Sequence, residues 1–375
     1  MTTYKELFGK YVQNYASDPT STDAEGQIWY NSTSGTFKTA LGGYGVWSAG
    51  GNLNTARYLL RGAGTQTAAL AFGGEVPGNT NSTESYNGIS WTPVSGMNDT
   101  RNAVGSAQSG TQTATLAFGG ETTVRSAASE SWNGTSWTTT PSMSTARAGI
   151  GGIGIQTAAL AATGNTTVRT ATVESWNGST WTAGTNVNTA RGVLAASGIQ
   201  TAGLIFGGQT PPNAFSGITE SWNGSAWTTV NSLNTARAAL AGAGTQTSSL
   251  AFGGATPSIT GATELWNGTS WTTSPATMST SRYSLSGAGS QTSAIAAGGL
   301  TTAAVANTEE WDITGVVVPV AGSWSSGGNL NTARVYIGTA GDSKTSALAF
   351  GGDTTAGGSS TAATEAYNGS SWTSV

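Results

Sequence analysis

Cysteine and histidine are both absent from this 375-residue chain. The first absence removes disulfides, thiolate nucleophiles and thiolate metal sites, and leaves the redox compartment open. The second removes the side chain that most often moves protons near neutral pH. Charge is scarce as well: Asp, Glu, Lys and Arg make up 9% of the residues, the net charge is −4, and there are only four lysines. With no run of basic residues, the footprint that neutralises phosphates is missing, so nucleic acid is not an expected partner. No apolar run approaches the ~18 residues of a membrane span, and membrane insertion is not expected. The stretch from Met1 to Val12 carries charges where a signal peptide needs its apolar core, so synthesis in the cytosol is expected.

What the chain does have is repetition. Arginines at 57, 101, 147, 191, 237, 282 and 334 recur at spacings of 44 to 52 residues. Each is followed by a run of small residues, an apolar run ending in Gly-Gly, a glutamate, and a turn capped by tryptophan. Self-similarity at that period marks an architecture in which one supersecondary unit cannot bury its own faces and needs neighbours. The 55 glycines and low charge could also describe disorder, but 14 tryptophans at regular intervals argue against it.

Within a unit such as Arg147 to Trp181, AGIGGIGI, AALAATG, TVESWN and STWTAG are separated by turn residues and enriched in Thr, Ile, Leu, Val and Trp. Four short antiparallel strands are predicted. Asn-Gly between the last two, as at Asn133-Gly134, Asn177-Gly178, Asn223-Gly224 and Asn267-Gly268, predicts a type I′ hairpin turn with positive φ. The Gly, Ala and Ser of the first strand suit a crowded central axis. The diglycine that ends the second strand lets the chain turn where no side chain fits. Radially repeated four-stranded units are blades of a β-propeller.

The succession of Arg, apolar strand, Gly-Gly, Glu, aromatic and Trp resembles the kelch repeat from Thr55 to Val375. The resemblance implies an all-β, seven-bladed, kelch-like β-propeller of four-stranded antiparallel blades over residues 47–375, with repeats near 55–98, 99–144, 145–188, 189–234, 235–279, 280–331 and 332–375. The third unit departs from it at Thr163-Gly164, and the sixth has a longer hairpin between Trp311 and Trp324. Residues 1–46 are expected to form a separate attachment or linker segment with a small β-hairpin. Trp47 to Asn54 nearly duplicates Trp324 to Asn331, so either the Trp47 strand or the Trp372 strand is expected to clasp the ring.

Seven equivalent copies are what a structural role predicts. The arginines at 57, 101, 147, 191, 237, 282 and 334 are expected to pair at blade junctions with Glu84, Glu130, Glu174, Glu220, Glu264, Glu309 and Glu365, because a buried arginine is tolerated only when paired. Trp91, Trp137, Trp181, Trp227, Trp271, Trp324 and Trp372 are expected to wedge blades together, each burying ~200 Å² worth roughly 5 kcal/mol at most. The glutamines Gln66, Gln112, Gln156, Gln200, Gln246 and Gln291 are expected to tie turns of neighbouring blades.

Recognition is expected where the repeats stop agreeing, in the loops after each diglycine, which gather on one face of the disc. Asn79, Arg125, Arg169, Pro211, Asn213, Phe215 and Asp353 in these loops are the candidate binding residues. No catalytic residue, metal site or cofactor is assigned. The nonrepeat acids Glu75, Asp99, Glu121, Glu310, Asp312, Asp342 and Asp353 are scattered singly, whereas a glycoside hydrolase needs a carboxylate pair.

Ser17 to Leu41, with Asp18-Pro19, Gly26-Gln27-Ile28-Trp29-Tyr30-Asn31, Gly35 and Lys38, resembles a hairpin element near the start of bacteriophage tail-fibre and virion proteins, especially of marine phages. That resemblance implies a noncatalytic structural protein of the virion, made in the host cytoplasm and exposed on the particle. It would contact other virion proteins through residues 1–46 and a host-surface glycan or protein through the variable loops, with homo-oligomerisation left open. The alternatives are a propeller glycoside hydrolase acting on host polysaccharide and a kelch-type protein-interaction module.

Overall fold

In the first repeat, Arg61–Gly64, Ala69–Phe72, Thr83–Tyr86 and Trp91–Val94 pair in sequence as one antiparallel sheet. The same four-strand order recurs down the chain, as the alternation of small, apolar and aromatic segments predicts. The computed structural model describes residues 13–15, 28–32, 36–41, 45–313, 316–319, 330–331, 338–343, 346–351, 353–354, 360–368 and 370–375. No helix occurs among them. The expected all-β fold of repeated four-stranded antiparallel sheets is present in all seven repeats.

The chain divides into two compact units, one built on 39–318 and holding the first six repeats, the other holding the seventh. Within the first unit the innermost strands contact one another in order and return to the start, Ser286–Gly289 of the sixth sheet lying against Arg61–Gly64 of the first. The ring therefore contains six of the seven repeat sheets. Its closure is written in backbone hydrogen bonds: Ala103 N–H donates to Leu59 O, Gly149 to Ala103, Val193 to Gly149, Ala239 to Val193, Ser284 to Ala239, and Leu59 back to Ser284, all at 2.7–2.9 Å. Every residue of this circle has positive φ, from 47° to 62°.

The sixth sheet takes its outer strand from far upstream. Gly45–Ala49 pairs antiparallel with Thr308–Ile313, setting Trp47 opposite Trp311 just as Trp137 stands opposite Trp132. Trp324, expected in that place, lies outside the described residues, as do Arg334 and the N-terminal positions Asp18, Pro19, Gly26, Gln27 and Gly35. Of the two candidate clasps, the Trp47 strand closes the ring. The Trp372 strand instead completes the seventh sheet, made of Gly338–Ser343, Ser346–Phe350, Thr364–Tyr367 and Trp372–Ser374. The predicted N-terminal hairpin corresponds to Ile28–Asn31 and Thr36–Leu41, neighbouring strands of one sheet, with Gln13–Tyr15 running parallel to the former.

Each blade junction uses the same three devices. The second glycine of each pair donates its N–H to the next blade's arginine carbonyl, from Gly74 to Arg101 around to Gly299 and Arg57, at 2.9–3.1 Å. The indole N–H of the outer tryptophan reaches the preceding blade: Trp91 to Thr308, Trp137 to Thr83, Trp181 to Ser129, Trp227 to the Thr185 carbonyl, Trp271 to Thr219 and Trp47 to Thr263. The indole itself packs on the preceding blade's phenylalanine where one exists, as Trp137 does on Phe72 at 4.9 Å. Glutamine amides then bind the preceding blade's aromatic carbonyl, Gln66 to Trp311 and Gln200 to Trp176 among them.

Two local expectations need correction. The arginine and glutamate side chains pair within a repeat, not across a junction: Arg101 meets Glu130 at 2.6 Å, clamping the segment that enters a blade to that blade's third strand. The Asn-Gly links are not type I′ turns, because four residues separate Trp132 from Trp137 and only the glycine has positive φ. The asparagine instead caps the turn, Asn133 Oδ1 accepting from the N–H groups of Thr135 and Ser136.

The diglycine requirement can be measured. A Cβ on Gly120 would stand 2.6 Å from the Asn102 carbonyl oxygen, whereas one on Gly78, at similar φ, meets nothing within 4 Å. Gly120→Ala should cost about 1–3 kcal/mol more than Gly78→Ala in urea unfolding, since both carry the φ strain and only the first adds a backbone clash.

Candidate functional site

In each of the six ring repeats the residue after the repeat arginine and the residue after the glycine turn that ends the second strand meet in a short bridge, and these bridges surround one mouth of the ring: Tyr58 with Glu75, Asn102 with Glu121, Ala148 with Asn165, Gly192 with Gln209, Ala238 with Ala255, and Tyr283 with Leu300. The repeats disagree here. The first four bridges carry acids and amides, while the last two are largely apolar. On the polar side the mouth sinks into a cavity of about 430 Å³ lined by Glu75, Asn79, Asn102, Glu121, Arg125 and Asn165, with Arg61 and the closed backbone circle beneath.

Arg61 stands where the other blades have Gly105, Gly151, Ala195, Ala241 and Ser286, each opposite the last residue of the second strand. A side chain from this innermost position points toward the axis, and Arg61 lines the cavity there. Its guanidinium donates to the Leu60 carbonyl at 3.1 Å, and no ion pair to it occurs among the described residues. Burial pushes it down to about 10, so it remains a cation at neutral pH.

The wall above is held by a lattice of side chains. Asn102 donates from Nδ2 to Glu75 at 2.9 Å and to Asn79 Oδ1 at 2.8 Å. Asn79 in turn donates to the carbonyls of Glu121 and Thr122 in the next blade. Burial and its hydrogen bond to Glu75 push Tyr58 up to about 12. Glu121 forms an ion pair with Arg125. Two amide oxygens at this wall, Asn102 Oδ1 and Asn165 Oδ1, are buried with no donor.

Beneath the circle the axis is blocked. The second repeat has extra residues after a short first strand, Gly105–Ser106, and folds them inward. Gln108 donates from Nε2 to the carbonyls of Gly242 and Gly287, on the fifth and sixth blades. The polar cavity is thus a blind pit, open only at the loop face. The opposite mouth, of about 700 Å³, is lined by Gly, Thr, Ser, Gln and Ala of the repeat turns and by no charged side chain.

Of the candidate binding residues, Asn79 and Arg125 line the pit. Arg169 does not; it clamps the neighbouring loop, donating to the Pro212 carbonyl at 2.9 Å and to Gln209 Oε1 at 2.6 Å. Pro211 and Asn213 are exposed on that loop, and Phe215 is half-buried in Ala214–Phe215, which pairs with Gln209–Thr210. Asp353 belongs to the seventh repeat, where it accepts from Ser360 at 2.8 Å. Glu365 there is buried and accepts from the Asn331 N–H. Glu75 and Glu121, read as scattered acids, share the pit.

Arg61 and Gln108 were not singled out in the sequence, although a signal existed for each. Arg61 is a bulky residue at a Gly/Ala/Ser position, and Gln108 lies in the lengthened turn of the second repeat. No protein-family model matches this chain, and no curated protein matches it.

Proposed function

We propose that this chain is a noncatalytic recognition propeller, kelch-like in its repeats and carried on a bacteriophage particle, which takes a host-surface ligand into the blind pit of its loop face. The observation that carries the reading is the pit itself: buried and half-buried polar side chains converge on the axis at the one mouth where the repeats diverge. Such a concave site with a few convergent polar groups is the usual form of a ligand pocket. The particle assignment draws on the resemblance of Ser17 to Leu41 to virion proteins, with residues 1–46 as the attachment segment. An array of bacterial surface polysaccharides probed with the full chain tests recognition, and labelling the chain in intact particles tests its location. Binding to none of the polysaccharides would sink the recognition reading.

A second reading is favoured by one specific observation. Glu75, Glu121, Arg61 and Arg125 line the same cavity, which is the clustering a glycoside hydrolase requires. Against it, Glu121 is ion-paired with Arg125 and Glu75 holds Asn102, so neither carboxylate stands free. The noncatalytic reading expects no reducing ends to be released from any polysaccharide the chain binds. Release that falls about 100-fold or more in Glu75→Gln or Glu121→Gln, with binding retained, would establish the hydrolase instead.

A further inference from the structure

We infer that the pit selects a saccharide bearing a carboxylate, the carboxylate seated on Arg61 and the sugar hydroxyls donating to the acceptor-rich wall of Glu75, Asn102 and Asn165. This deepens the recognition function proposed above and rests on it.

Arg61 is the starting point. It is a cation at the bottom of a pit, bonded only to the Leu60 carbonyl among the partners the structure gives it. The six arginines of the ring repeats each meet a glutamate, and Arg125 at the rim meets Glu121. A half-buried guanidinium at the foot of a cavity, with no anion facing it among the described residues, is an open site for one, and its planar fork matches a carboxylate. The position does not require it, since the other five blades fold with Gly, Ala or Ser there. A ligand anion completes the pairing that the fold omits.

The wall supplies the second half. Asn102, 7% exposed, turns its Nδ2 to Glu75 and Asn79, leaving Oδ1 without a donor. Asn165 Oδ1 is in the same condition. Buried acceptors in native proteins are normally satisfied, and two orphans beside one cavity call for a ligand rich in donors. Hydroxyls, which donate as well as accept, suit the Glu75 carboxylate and the Asn165 oxygen, whose amide, unlike that of Asn102, is free of the Glu75 and Asn79 bonds and can turn toward the pit. A phosphate would bring a second negative charge to face Glu75 and Glu121, where a carboxylate brings one. A neutral sugar would leave Arg61 unpaired. The volume of about 430 Å³ is that of a small-ligand pocket, and the Gln108 plug confines entry to the loop face.

The test is calorimetric titration of the full chain with glucuronate and galacturonate, and with glucose and galactose as their neutral parents. The uronates should bind about 10-fold or more tightly than the parents, and Arg61→Gln should remove that preference, a loss of about 10–100-fold for the uronates alone. Arg61→Lys keeps the charge and should keep part of the preference, which guards against a simple folding defect. Asn165→Leu should weaken uronate and parent alike. Equal binding of uronate and parent overturns the inference, as does acetate or an acetylated peptide with a free C-terminus binding as tightly as the uronate. On the polysaccharide array, binding to neutral polymers alone overturns the inference and leaves recognition standing, whereas binding to none removes recognition itself.

Discussion

Trp47→Ala should lower the unfolding free energy of the six-bladed ring by about 3–5 kcal/mol, while Trp372→Ala should leave the ring's transition where it was. Trp47 lies 5.0 Å from Phe252 and 5.4 Å from Trp311, and donates its indole N–H to Thr263 at 2.9 Å. Its removal strips the sixth sheet of its wedge against the fifth. Trp372 packs at 5.1 Å on Tyr367, inside the seventh repeat. Calorimetry of both variants decides the matter: equal losses, or a loss only for Trp372→Ala, would mean that the upstream strand does not close the ring. Against a typical domain stability of about 5–15 kcal/mol, a loss of this size is readily seen.

Glu174→Gln should cost a comparable amount, about 3–5 kcal/mol, because it leaves Arg147 charged and buried without its counter-ion. Arg147 is fully buried, and besides Glu174 it bonds only backbone carbonyls, those of Thr145 and Ala161. Burial pushes its guanidinium down while Glu174 holds it up. A loss below about 1 kcal/mol in urea unfolding would place the pair with weak surface ion pairs. The sixth repeat adds a pH signature. Burial opposes ionisation of Glu309, but the Arg282 guanidinium and the Ser279 N–H hold it below the usual carboxylate range. A folded value beneath the unfolded one gives stability that is complete above pH ~4.5 and lost as the pH falls through the lowered folded value. Glu309→Gln should therefore flatten the acid limb of the melting-temperature profile. An unchanged limb would mean that this pair does not set it.

Much of the blade was legible because its signals are local. Alternating small and apolar residues, the diglycine and the paired aromatics each dictate geometry over a few residues, and the tryptophan wedges and glutamine ties follow from repetition. Blade count in the ring was not legible for a physical reason. The choice between Trp47 and Trp324 is a choice between two nearly identical segments, and only long-range pairing with Thr308–Ile313 separates them. The site was half legible. Asn79 and Arg125 were singled out as loop residues that break the repeat, but so were Pro211 and Asn213, which the fourth loop holds outside the pit. Arg61 escaped notice because it sits four residues after a repeat arginine, in a strand otherwise read as uniform. Glu75 and Glu121 looked scattered because their separation of one repeat in sequence becomes adjacency only when blades stand side by side.

Closing a circle with a strand from upstream sets a timetable for synthesis. Ala49 pairs with Glu309, so the nascent segment around Trp47 leaves the ribosome roughly 13–50 s before its partner does, at translation rates of about 5–20 residues per second. Throughout that wait both its edges are unsatisfied, and a neighbouring nascent chain on the same message offers an equivalent strand to join. Slowing elongation should therefore increase strand-exchanged dimers among newly made molecules, while leaving the sequence and its final contacts unaltered.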